Sequence, residues 1–270
     1  MQLETSEQQQ SPMARVDRRD ATSLIEIPRH RQPSMARLCL VECRKLIDTR
    51  PGAIMIIVGA LLTGVCGGGA VLFWDQPSLD RIVRFAGTPA SLLIPVLATL
   101  LITGERSQRT ALISYALVPR RERLLTAKLL TVLVTAVAVV GLCLLAGLII
   151  AAVGPLLTGH QVSWQLDWYG IGWFGLGMII AALTGYAVGA ATGNAPAAIV
   201  VVLVWQLIVV PLQAIPTIGR VFEWLDFTAI SSFLDGVTPT EVGQVLVGLA
   251  VWLVLPTAVG WWRQLRGEVR

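Results

Sequence analysis

Charge is what this chain has least of. Only 14% of its residues are Asp, Glu, Lys or Arg, and it holds two lysines and two histidines. None of its long apolar runs carries Asp, Glu, Lys, Arg or His between its ends. Ion-coupled carriers place such groups at mid-membrane despite the cost, so the chain shows no internal means of using an ion gradient. Lys45 follows Arg44 and Lys128 follows Ala127, so neither closes a glycine-rich phosphate loop. The four cysteines, Cys39, Cys43, Cys66 and Cys143, have neither the spacing of a zinc site nor that of a disulfide framework. No cluster of His, Cys and carboxylates gathers in the sequence, which argues against an enzyme.

What is abundant is apolar surface. A chain that is 54% hydrophobic, with mean hydropathy +0.69, cannot bury that surface in a soluble globule of 270 residues. Six apolar runs, at about 52–74, 85–104, 129–153, 169–192, 197–214 and 242–262, each approach the roughly 20 residues that a membrane-spanning helix needs. The expected fold is an all-α polytopic membrane protein of six transmembrane helices, with residues 35–270 as a single transmembrane domain. Residues 1–34 are polar, rich in Gln, Arg, Ser and Pro, and read as a disordered cytoplasmic tail. No apolar stretch of signal-peptide length follows their basic residues.

Residues 35–50 read as an amphipathic helix along the inner leaflet. Met35, Leu38, Val41 and Leu46 share one side while Arg37, Glu42, Arg44, Lys45 and Asp48 face out. Pro51 supplies the break at which the chain turns inward. Within the spans, Gly64 and Gly68, and the ladder Ala181, Gly185 and Gly189, offer faces for close helix packing. Pro95 predicts a kink and Pro155 the end of the third span. Residues 75–84 and the stretch holding His160 and Asp167 read as outer loops, with Trp168, Tyr169 and Trp173 as an interfacial belt. Residues 215–240 are apolar but broken by Glu223, Asp226 and Asp235, and read as outer interfacial helical segments. Glu223 and Asp226 are read there as a solvated face. Trp205 and Trp252, deeper in their spans, are candidates to line a cavity.

The basic residues set the orientation. Nine Lys or Arg fall on the tail and elbow, six on the insert 105–128 and three at the C-terminus, leaving Arg81, Arg84 and Arg220 elsewhere. Short loops dense in Lys and Arg stay cytoplasmic, so both termini and the insert are expected inside. These residues sit at membrane edges without interleaved aromatics, which points to lipid headgroups and away from nucleic acid. In the insert, Arg106, Arg109, Arg120, Arg121, Arg123 and Lys128 surround the uncharged stretch 111–118. That stretch is too short to cross a bilayer, and Pro119 would end it as a surface helix carrying Leu112 and Tyr115.

The elbow pattern of Glu42, Lys45, Leu46 and Arg50, the six spans, and the insert with Glu105, Thr110, Pro119, Arg121 and Lys128 resemble the permease subunits of type-2 ATP-binding-cassette exporters, particularly the actinobacterial kind. Gly185 and Gly189 followed by Asn194 and Ala197 are similar too. Arg109 departs from the Gly that the family often has before the insert's Thr. The resemblance implies that residues 35–50, with Glu42, Lys45 and Arg50, form a connecting helix. It implies further that the insert is a coupling helix docking on a separate ATPase subunit through Glu105, Arg106, Thr110, Leu112, Tyr115, Pro119, Arg120, Arg121 and Lys128. ATP and Mg would be bound by that partner, with no cofactor in this chain. A second permease would complete the exporter in a bacterial cytoplasmic membrane. Two other classes stay open on the residues alone: a secondary carrier or channel without an ATPase, and a non-transporting membrane anchor or sensor.

Overall fold

The computed structural model describes residues 34–107, 121–159, 161–226 and 239–266. In chain order its helices are α1 (Met35–Asp48), α2 (Arg50–Phe73), α3 (Leu79–Ser107), α4 (Arg121–Thr158), α5 (Trp168–Thr192), α6 (Ala195–Gln213) and α7 (Gly219–Leu225). They are followed by α8 (Pro239–Leu249), a π-helical segment (Ala250–Val254) and α9 (Leu255–Arg266). Among the described residues the backbone is helical, with no strand beyond one isolated bridge between Ser78 and Ser163. Five helical stretches are long and apolar enough to cross a membrane, and the apolar part of α6, Ala195–Val209, is shorter.

Several boundaries differ from expectation for local reasons. The second span begins at Leu79, so Asp80, Arg81 and Arg84 sit on a helix instead of in a loop. Asp80 in the first turn suits the helix dipole and pairs with Arg84 one turn on at 2.7 Å, while Leu79, Ile82 and Val83 on the other side are buried. Pro89 and Pro95 lie inside this helix, which continues through both. α4 likewise passes Pro155 and stops at Gly159, whose φ of 73° is left-handed. A proline removes only its own N–H from the ladder, and here one more turn suffices to reach a residue that can reverse the chain.

Helix ends gather in two groups. At one, Cys39 in α1, Leu101 in α3, Ala127 in α4, Ala191 in α5 and Arg263 in α9 are linked by hydrogen bonds across elements. At the other, Leu79 N–H donates to the Ser163 carbonyl (2.9 Å) and Ser163 N–H to the Pro77 carbonyl (3.0 Å). The core lies between α3 and α5, where Ile94, Ala98, Ala182 and Tyr186 are buried. Gly185 makes this possible, because a Cβ there would lie 2.6 Å from both C and Cα of Pro95. Gly189 does the same against Ile102 and Thr99. Thr99 Oγ1 seals the seam, 2.9 Å from the Pro95 and Gly185 carbonyl oxygens. The other expected packing pair behaves differently. A Cβ on Gly64 or Gly68 would meet nothing within 4 Å, and Gly67 is the α2 glycine against Ile150 and Ala86.

Candidate functional site at the α1 elbow

α1 begins with Ser34, whose hydroxyl accepts from Arg37 N–H at 3.3 Å. It packs against the first turns of α4 by a small polar seam. Cys39 Sγ donates to the Ala127 carbonyl (3.6 Å), and Thr131 Oγ1 lies 3.4 Å from the Cys39 carbonyl and 2.9 Å from that of Ala127. This seam fixes which face of α1 turns inward: Cys39, Glu42 and Leu46, at i, i+3 and i+7. Glu42, expected to face out, is 3% exposed as a result, while Leu40 and Ile47 are 67% and 63% exposed. Sequence periodicity puts Glu42 outside and Val41 inside because it weighs residue type alone, whereas here the neighbour's backbone chooses the face; Leu46 faces inward and Arg37, Arg44 and Asp48 face out as expected.

The buried carboxylate is held by Lys45 Nζ at 2.6 Å from Oε1, and Oε2 has no hydrogen-bond partner. Lys45 itself remains 40% exposed at its side chain. Arg44 and Asp48 form an exposed pair at 3.3 Å, of a kind worth about 0–1 kcal/mol. Arg50 opens α2 and is exposed. Cys43 is half-buried, and burial, then the neighbouring Cys39, push its thiol pKa up. A raised thiol is a poor nucleophile, which leaves Cys43 as a packing group.

Lys128 lies deeper than expected. It is 2% exposed, with Nζ 3.4 Å from the Leu101 carbonyl, so it ties the start of α4 to the end of α3 instead of projecting as a docking group. Glu105 and Arg106 belong to the last turn of α3 and Arg121 opens α4. Thr110, Leu112, Tyr115, Pro119 and Arg120 lie outside the described residues, as do the tail 1–33, His160, Asp235 and most of the outer segment after Asp226.

A second strut at this end was not foreseen. Trp261 Nε1 donates to Tyr186 Oη (3.0 Å), which donates to the Leu125 carbonyl (3.2 Å), joining α9, α5 and α4. Arg263 also donates to the Ala191 carbonyl. A lone Tyr inside a run of Gly and Ala was the one available signal, since a phenol in apolar surroundings needs a partner. At the opposite end, Trp205 and Trp252 meet at a tilt of 44°, ring centroids 4.6 Å apart, with Phe222 against Trp205 at 6.0 Å. Trp252 Nε1 donates to the Leu225 carbonyl at 2.8 Å, so these rings clamp α7. Asp226, read as part of a solvated face, is 5% exposed and accepts from Gln213 Nε2 at 2.9 Å.

Taken together, the contacts described at the elbow are braces between helices. No group of three or more His, Cys, Asp or Glu that could hold a metal occurs among the described residues. The interior pocket between Leu46, Ile94, Leu101 and Val132 holds about 10 Å³, roughly the space of one water. Among the described residues the chain is thus all-α, with five long apolar helical stretches that have the dimensions of membrane spans. No family model matches the sequence, and no curated protein matches it.

Proposed function

We propose that this chain is the membrane-spanning permease subunit of an ATP-binding-cassette exporter, coupled to a separate ATPase through residues 105–128. The observation that carries the reading is the elbow: α1 is bonded to the first turns of α4, which resume the chain after the insert, and Lys128 bonds those turns to α3, which precedes it. A push on the insert therefore reaches three helices through fixed contacts. The charge-free spans fit an engine that lies in another subunit. On this reading ATP-driven closure of the ATPases tilts the spans as rigid bodies and switches access from the cytoplasmic to the outer side. Both termini lie in the cytoplasm of a bacterial cell.

The test is purification of the native complex from membranes, with the bound chains identified by mass spectrometry. A co-purifying polypeptide with a phosphate-loop lysine, whose ATP hydrolysis rises when this chain is present, supports the proposal. Arg121→Glu should leave insertion and assembly intact yet abolish that stimulation. Stimulation by the variant equal to that of the natural chain, or a complex without any nucleotide-binding subunit, overturns it.

A further inference from the structure

The end of the molecule opposite α1 carries a polar cleft of about 640 Å³, lined among others by Ser78, Asp80, Arg81, Arg84, Gln165 and Asp167. That volume lies within the range of about 300–1,000 Å³ usual for small-molecule sites. Its walls are held in register by the backbone bonds between Leu79 and Ser163 and between Ser163 and Pro77, so two connections that are far apart in sequence form one rim. The cleft is therefore built into the fold.

Its charges are not all spent. Arg84 is committed to Asp80 at 2.7 Å, and the Asp80 carboxylate also accepts from the Ser78 hydroxyl. Arg81 and Asp167 are exposed, and neither makes an ion pair with the described residues. Asp167 stands at the start of α5 without capping it, its carboxylate lying over Gly170, where a Cβ would collide with Oδ2. One free guanidinium and one free carboxylate thus face a shared polar space. A group with a phosphate and an ammonium complements both charges at once, whereas a simple anion or a simple cation engages only one of them.

The surroundings say where such a group would come from. Phe73, Phe85, Trp164, Trp168 and Tyr169 stand exposed around these helix ends, at 85%, 44%, 59%, 72% and 56%. Exposed aromatic rings at the ends of spanning helices mark the level of lipid headgroups. We propose that this cleft binds the headgroup of a zwitterionic phospholipid of the phosphoethanolamine kind, with Arg81 taking the phosphate and Asp167 the ammonium. The inference does not depend on any ATPase partner.

The test uses the purified full chain in detergent, with native mass spectrometry reading lipid retention during titration with phosphatidylethanolamine or phosphatidylglycerol, and calorimetry reading soluble O-phosphoethanolamine. The natural chain should hold the ethanolamine lipid about tenfold more tightly than the glycerol lipid. Arg81→Ala should weaken retention about tenfold, and Asp167→Asn should erase the preference between the two lipids. Arg220→Ala, an exposed cation on α7 outside the cleft lining, should change nothing. Arg81 is exposed, so its loss leaves the fold intact, and Gln165→Ala on the facing wall provides a second variant, expected to weaken retention severalfold. Equal retention by Arg81→Ala and the natural chain, or equal affinity for the two lipids, overturns the site. Soluble O-phosphoethanolamine binding as tightly as the lipid overturns the lipid as the source of the headgroup.

Discussion

α2 and α5 are both apolar enough to span a membrane and both carry glycines four residues apart, yet one is wall and the other is core. In α5, 61% of the apolar stretch is buried; in α2, only 22%. Apolar character alone therefore says that a helix meets lipid or protein, and does not say which. The deciding feature is what lies opposite the small residues. Gly185 meets the backbone of Pro95, and Gly189 meets Ile102 and Thr99, whereas Gly64 and Gly68 face open space. In a bilayer, lipid tails are as apolar as leucine, so helices associate by close fit and by shared hydrogen bonds. The α3 and α5 seam has both, in its glycines and in the Thr99 hydroxyl.

The substitution that breaks this contrast most severely is Gly185→Leu. Its Cβ would run into main-chain atoms of Pro95, which cannot rotate out of the way as a side chain can. Overpacking costs about 1–3 kcal/mol where side chains yield and more where they do not, so a loss of about 3 kcal/mol or more is expected. The measurement is the melting temperature of the purified protein in detergent, together with the yield of folded material. A variant that melts within a degree of the natural chain would show that the seam is loose and the comparison empty.

Tyr186→Phe probes the same helix more gently. It removes one hydroxyl, leaving Trp261 Nε1 without its acceptor and the Leu125 carbonyl with its helical donor alone. Loss of hydrogen bonds to a buried hydroxyl costs about 1–2 kcal/mol in water, and helix-to-helix bonds in membranes average nearer 0.6 kcal/mol. The expected loss is about 1 kcal/mol, read by the same melting experiment. Trp261 fluorescence should also shift to the red as its indole N–H finds water, seen against a background in which the other eight tryptophans are replaced by Phe.

How much of this was readable beforehand follows from the same physics. Runs of apolar residues reveal the all-α character and the membrane-length helices because every backbone group in lipid must be satisfied within its own segment. Helix ends are less legible: Asp80 and Arg84 look like loop residues until they are seen to pair one turn apart, and Pro155 looks like a stop although the chain has one more turn to run. Glu42 and Lys128 are the hardest, since a charged residue reads as exposed, and only a neighbouring carbonyl or ammonium close by makes its burial tolerable. For the ladder in α5 and the pair in α2, the sequence shows identical spacing. The difference between them is tertiary: Pro95 stands opposite one, and nothing in the described residues stands opposite the other.

The smallest expected effect sharpens the comparison from the other side. Gly64→Leu adds a Cβ that would meet nothing within 4 Å outside its own helix, so its side chain is expected to point into open space without a clash. Leucine is also a better helix former than glycine by up to about 1 kcal/mol in water, so the single chain should melt unchanged or slightly higher. Gly67→Leu, three residues on and against Ile150 and Ala86, should by contrast lower the melting temperature, because Ile150 must move to admit it. If a second copy of this chain packs on the open face, Gly64→Leu separates two properties that Gly185→Leu would lose together. Light scattering would report a shift from pairs to single chains while the melting temperature of the single chain held. A fall in that melting temperature equal to that of Gly67→Leu would mean that Gly64 is enclosed, and that α2 is core as much as α5 is.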